Sequence, residues 1–233
     1  MFNRIFLPAV LAGVLSALTL TLAQHIWVTP LILQAETYED AAQENAGAHE
    51  HHGGTEEHQH EEAWQPENGW QRTLSSAASN SVMGIGFALI LCGMYTLRQP
   101  SGVAQGISWG VAGYFIFFAA PSIGLPPDLP GTAAAELAAR QQWWLGTAVA
   151  TATGLWLIFL QPRKAYKAAW VLALAVPHLI GAPHPAMPMS LAPEMLQTQF
   201  RLATIFINAM FWLMLGVISA AVFKRLAKPT GDL

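Results

Sequence analysis

The sequence predicts an all-α integral membrane protein with about six transmembrane helices. Two observations lead there. Hydrophobic residues make up 53% of the chain and charged residues 11%, whereas soluble domains carry roughly a quarter charged residues. The apolar residues also fall in long runs, and about 18 or more in a row with few charges is long enough to cross a bilayer as helix.

Taken in order, the first span covers 5–28, and residues 1–33 form its unit. A signal peptide is the competing reading of Met1–Arg4 and the apolar run. The run is longer than a usual signal core, and TLTLAQH offers a poor small-x-small cleavage site. Residues 34–72 form an acidic, His-rich outer loop, expected to be disordered because so charged a stretch cannot build a core. The bundle at 73–224 holds about five more helices, over 73–97, 103–121, 143–160, 168–181 and 202–223. The fifth span is short and contains Pro177, so a re-entrant segment stays open there. Residues 225–233 form a cytoplasmic tail. Consecutive spans suggest three helical hairpins, and the turns APSIGLPPDLP and VPHLIGAPHPAMP look alike. A repeat of hairpins would account for that likeness, as would the plain preference of proline for turns.

Charge sets the orientation. With the N-terminus inside, Arg4, Arg98, Arg163, Lys164, Lys167, Lys224, Arg225 and Lys228 lie on the cytoplasmic face, eight of the eleven basic residues. Arg72, Arg140 and Arg201 remain outside. Excess Lys and Arg in short loops marks the cytoplasmic side. Removing the fifth span would expel Lys224, Arg225 and Lys228, so six spans with both termini inside fit best. Trp27, Trp70, Trp143 and Trp144 then fall in an outer aromatic belt, as anchors.

The chemistry collects on the outer face. HEHHGGTEEHQH places His49, His51, His52, His58 and His60 among glutamates, and residues 34–71 hold ten acidic residues with no Lys or Arg. Imidazole and carboxylate suit borderline divalent metals. His25 stands near the outer end of the first span, and His178 and His184 flank the outer end of the fifth. These eight histidines are the candidate metal ligands. His25, His178 and His184 converge at one outer mouth if the first and fifth spans pack together. Each has a plainer alternative: the loop as a solvated spacer, His25 and His178 as hydrogen-bonded interfacial residues. Met187, Met189 and Met195 are read as packing for a Pro-rich cap. Cys92 is read as a small buried hydrophobe. Asn80 shares a helical face with Ser76 and Met83; that face either lines a polar path or glues helices together.

Other chemistries find no support. There is no GxxxxGK[ST] phosphate loop, no HExxH and no CxxC, and no carboxylate stands inside a predicted span. The chain is therefore expected to be no enzyme, with no catalytic residue, no resident cofactor and no nucleic-acid partner. Its one certain partner is the lipid bilayer, and homo-oligomers stay open.

The segments HIWVTPLILQAETYE, NGWQRTLSSAASNSVMGIGFALIL, FFAAPSIGLPPDLPG, RQQWWLGTA and PHLIGAPHP resemble the CbtA family of cobalt transporter subunits from about Phe2 to Lys224. The resemblance implies a multi-pass protein of the bacterial cytoplasmic (inner) membrane, serving cobalt uptake linked to cobalamin synthesis. It also implies a small one-span partner, CbtB, with histidines of its own. Cobalt comes from that resemblance alone, since Co²⁺ binds such ligands more weakly than Ni²⁺ or Cu²⁺. Two alternatives stay open: a metal-binding scaffold or sensor without its own pathway, and a quinone-handling membrane protein with an incidental loop.

The charge asymmetry yields a direct test. A reporter active only when exported, fused after Leu233, should stay silent; strong activity would indicate an odd number of spans.

Overall fold

A computed structural model describes residues 2–49, 66–98, 100, 102–160 and 167–227. These residues form six helical rods, and the sole β element among them is an isolated bridge between Thr132 and Ser190. The first rod joins α1 (Phe2–Ala23), a π turn (Gln24–Val28) and α2 (Thr29–His49). α3 (Trp70–Leu97) follows. The third rod joins α4 (Val103–Tyr114), a second π turn (Phe115–Ala119) and α5 (Ala120–Gly124). α6 (Leu137–Leu160), α7 (Lys167–Ile180) and α8 (Glu194–Ala227) complete the bundle.

Among the described residues, four helical stretches are long and apolar enough to cross a membrane: Ile5–Asn45, Trp70–Leu97, Val103–Gly124 and Glu194–Leu226. α6 is not among them, and α7 has only 14 residues. At 1.5 Å per residue α7 spans about 21 Å, short of the roughly 30 Å hydrocarbon layer.

Both π turns have the same local cause. Thr29 donates its N–H to Gln24 O, and Ala120 donates to Phe115 O, five residues back in each case. A proline follows at once, Pro30 or Pro121. Proline lacks an N–H and its ring crowds the carbonyl four residues back. One widened turn absorbs that conflict without breaking the rod.

The acidic segment corrects the expectation of a loop. From Gln34 the chain stays helical through His49. Gln, Ala and Glu are good helix formers, and neither Pro nor Gly interrupts residues 31–46. Tertiary support adds to propensity: Ala35 is fully buried and Tyr38 packs against the core. Arg72 of α3 also grips Glu36 through both guanidinium nitrogens. The remainder of the His/Glu run, including His51, His52, His58 and His60, lies outside the described residues.

Helix pairing departs from sequential hairpins. α1 packs on α3 and α8, α4 packs on α8, and α6 packs on α7. The first expected hairpin pairs along its length, and the second only through the second π turn and α5 against α6; the spans at 103–121 and 202–223 pair with each other instead of the fifth with the sixth. The reason is the distribution of small residues. A Cβ on Gly13 would fall 2.5 Å from the Ile85 backbone, and one on Gly84 2.7 Å from Gly13 O. On the α4–α8 side, a Cβ on Gly216 would fall 2.3 Å from Gly106 O, and one on Gly110 2.3 Å from Trp212 O. Backbones meet at these points, as small-xxx-small packing requires. Around them Phe87, Phe117 and Trp212 form an aromatic cluster with ring centroids 4.7–5.5 Å apart.

The two Pro-rich turns form a cap over one end. Ala133 N–H donates to Met189 O at 2.8 Å and Leu191 N–H to Gly131 O at 3.1 Å. Gly131 takes a positive φ of 74° there. α8 pins both turns. Gln197 Oε1 accepts from Leu129 N–H at 3.1 Å, and its Nε2 donates to Thr132 Oγ1 at 2.6 Å. Arg201 bonds Asp128 at 2.6 Å.

The glycine contacts predict an asymmetry. Gly216→Val should destabilise the protein in detergent by about 1–3 kcal/mol through overpacking. Gly86→Ala should be near neutral, because nothing lies within 4 Å of where its added methyl would stand. Equal thermal midpoints for Gly216→Val and the parent would mean that α4 and α8 do not touch there.

Candidate functional site

A polar cleft of about 130 Å³ opens at the capped end, between the first π turn and the start of α3. Thr21, Gln24, His25 and Thr29 line one wall, and Asn68, Arg72, Thr73 and Ser76 the other. Local structure explains the first wall. The π turn adds one residue to a helical turn, which brings Gln24 and His25 together on the α3 side of the rod. Polar groups at such depth need partners. Asn80 supplies them from below: its Nδ2 donates to Gln24 Oε1 at 2.6 Å and to Thr21 Oγ1 at 3.0 Å. Asn80 is buried. Of the two readings of its helical face, the gluing role is the one with hydrogen bonds behind it, while Ser76 lines the cleft and Met83 is exposed. Asn208 turns back on its own helix, donating to Thr204 O at 2.9 Å.

Arg72 closes the mouth of the cleft. One guanidinium nitrogen reaches Glu36 Oε2 at 3.0 Å and Asn68 Oδ1 at 2.7 Å, and the other reaches Glu36 Oε1. The pair balances the local charge, and the rest of the lining carries imidazole, amide and hydroxyl groups.

His25 has one further relevant contact. Its Nδ1 lies 3.5 Å from Thr73 Oγ1, a long separation for a hydrogen bond. The Thr73 hydroxyl donates to Gly69 O at 3.1 Å, so its oxygen is left to accept. The contact sets the Nδ1 edge of the ring towards Thr73, with donor and acceptor roles that depend on the tautomer. A partner on one imidazole nitrogen that orients the other is how ligating histidines are generally held.

The other candidates lie apart. His178 sits in α7 beside Pro177, and its ring meets Trp143 edge-on at 5.9 Å. Trp143 Nε1 also donates to Pro177 O at 3.2 Å, so the carbonyl before His178 is occupied. His184 is exposed in the cap. α7 has α6 as its principal neighbour, while α1 packs on α3 and α8. Packing of the first span on the fifth, the condition for His25, His178 and His184 to converge, is therefore not what joins these helices. No group of three His, Cys, Asp or Glu residues suited to a metal occurs among the described residues. His49 is the last helical residue of α2. Met187, Met189 and Met195 are exposed rather than packed into the cap, whereas Cys92 is fully buried as expected. Of the four tryptophans read as anchors, Trp27 and Trp70 are exposed, whereas Trp143 and Trp144 are half-buried, Trp143 bonded to Pro177 O and Trp144 beside Phe117.

Sequence reading passed over Thr21, Thr73 and Gln197. A signal for the first was present: Thr21, Gln24 and His25 break an apolar run shortly before Pro30. Nothing in the spacing marked Gln197, whose partners lie about 65 residues away in the chain.

A family described as probable cobalt transporter subunit (CbtA) matches residues 2–224. The chain belongs to the CbtA family. No curated protein and no solved structure matches it. The match takes in every helix of the bundle, so the cleft, the cap and the glycine contacts all belong to the CbtA region. A transporter subunit acts with partners in a membrane, in keeping with four helices able to cross one.

In this CbtA chain, Asn80→Ala would remove two bonds between α1 and α3 and leave Gln24 Oε1 without that donor. Such interhelical bonds contribute about 0.6–1.7 kcal/mol each, so thermal unfolding in detergent should shift down by roughly 1–2 kcal/mol. No shift would show that the cleft floor does not join the helices.

Proposed function

We propose that this CbtA subunit takes up a divalent transition metal, cobalt, across the bacterial cytoplasmic membrane. In this reading the six rods cross or enter the bilayer, both termini are cytoplasmic, and the cap faces outward. The observation that carries it is the family match over residues 2–224. Support also comes from the charge pattern: Glu36, Glu39, Asp40, Glu44, Glu67, Asp128, Glu136 and Glu194 all lie at the capped end. A cation approaching that end meets a favourable potential.

The acidic helix α2 and His49, His51, His52, His58 and His60 then collect the ion. His25 replaces one of the ion's waters at the cleft through an imidazole nitrogen. Gln24, Thr73 and Ser76 line the same cleft and hydrogen-bond the waters that remain. A single imidazole with water-mediated neighbours binds weakly, and an ion must be held weakly to move on. His178 and His184 act on the α6–α7 side as separate contacts. The subunit works with a small one-span partner of the CbtB type.

Radiolabelled cobalt uptake, with and without the one-span partner, tests the proposal. Replacing the five histidines from His49 to His60 with Ala should raise the cobalt concentration for half-maximal uptake more than it lowers the maximal rate. His25→Ala should weaken apparent affinity by at least about tenfold even with those five intact. Met187→Ala should change little, since a thioether poorly matches a borderline dication. Normal uptake by a His25→Ala and His178→Ala double variant at equal membrane abundance would refute a role for both.

A further inference from the structure

We propose that Glu36 and Asn68 form an oxygen site for a divalent cation at the mouth of the cleft, and that Arg72 fills this site as a tethered cation until a dication takes its place. The proposal deepens the uptake reading, on which the identity of the transported ion rests. Three oxygens converge on the Arg72 guanidinium. Nη1 donates to Glu36 Oε2 at 3.0 Å and to Asn68 Oδ1 at 2.7 Å, and Nη2 donates to Glu36 Oε1. Nη1 alone therefore stands between oxygens of two separate segments, within about 0.7 Å of the separations at which oxygen ligands hold Ca²⁺. Local structure brings them there. Thr29 and Leu33 line the cleft, and Glu36 follows three residues on, along the same face of α2. Gly69, at a φ of 107°, turns the chain into α3 and leaves Asn68 beside Arg72 on the facing wall.

Charge selects the occupant. At the same separation a dication is attracted to the Glu36 carboxylate about twice as strongly as a guanidinium is. A monovalent ion brings no more charge than Arg72 and forfeits the two directed bonds of the guanidinium fork. The pair thus yields to dications and holds against Na⁺ and K⁺. It is within reach of arriving ions, with the Arg72 and Glu36 side chains 27% and 30% exposed. Carboxylate and amide oxygens suit Mg²⁺, Ca²⁺ and Mn²⁺ alike, so this site sorts by charge, and the imidazole of His25 further in sorts by kind. Release also changes the cleft itself. Arg72 lines it, and a guanidinium let go by Glu36 and Asn68 no longer spans the mouth. The ion that displaces Arg72 opens its own way to His25.

Side-chain NMR of the full chain in detergent, labelled with ¹⁵N-arginine, tests the exchange. The Arg72 signal is the one absent from Arg72→Lys. Ca²⁺ is the probe, since it takes oxygen ligands and not imidazole. Half of the signal should move to the position of a free guanidinium at roughly 1 mM Ca²⁺, the weak end of protein calcium sites. NaCl at equal ionic strength should leave it in place. Glu36→Gln should show the free signal from the start, with no further response to Ca²⁺. Asp40→Asn, which removes an exposed carboxylate one turn along α2, should respond like the parent. A signal unmoved at roughly 10 mM Ca²⁺, an equal response to NaCl, or a response lost in Asp40→Asn would overturn the proposal. Uptake supplies a second measurement. Cobalt uptake by Arg72→Gln should be inhibited by NaCl more than by choline chloride, and uptake by the parent should not; equal salt responses would overturn the sorting by charge. A parent chain that takes up no cobalt would refute the proposed function, and the Arg72 signal would still decide the exchange. Matching circular dichroism spectra keep misfolded variants out of the comparison.

Discussion

Lipid tails are about as apolar as leucine, so two helices in a bilayer gain little by burying leucines against each other. Dispersion contacts and hydrogen bonds have to hold them, and both demand close approach. Gly13 against Gly84, and Gly106 and Gly110 against Gly216, provide that approach. Everything else is arranged around these contacts. They set α1 against α3, which makes the Asn80 bonds geometrically available. They also set α4 against α8, which seats Trp212 on Phe117.

The cleft follows from a second constraint, the behaviour of proline in a continuous helix. A bilayer does not tolerate loose carbonyls, so the conflict at Pro30 resolves as a wider turn instead of a break. The widened turn carries Gln24 and His25, and its partners on α3 are a buried amide and two hydroxyl-bearing residues. Stability and chemistry are entangled here. Asn80 joins the helices and in the same act donates to the Gln24 side-chain oxygen. The equivalent turn before Pro121 carries only Phe, Ile and Ala side chains. The backbone device is shared; the side chains decide what it does.

Electrically the molecule is polarised. Carboxylates gather around the cap, where Arg72 and Arg201 each engage one of them, Glu36 and Asp128. The opposite end carries Arg98, Lys224 and Arg225 with no described carboxylate.

The membrane class and most helix positions were legible in the sequence, because run length and hydropathy are local properties that the bilayer enforces directly. The family was legible too, through the Pro-rich turns and the helix ends around them. The sequence misled at residues 34–49, where charge suggested a loop. Their helix is sustained by good local propensity and by Ala35, Tyr38 and the Glu36–Arg72 pair, contacts made with distant parts of the chain. The histidines were legible as chemistry and not as geometry. His25 and His178 read alike, as imidazoles near outer ends, yet one faces a hydroxyl-lined cleft on α3 and the other meets Trp143 on α6. Which helices pair is a long-range matter, decided where small residues let backbones touch. Hydropathy sees that a helix must enter the membrane; only the tertiary structure decides which neighbour it meets there, because lipid offers every apolar face the same welcome and shape alone tells them apart.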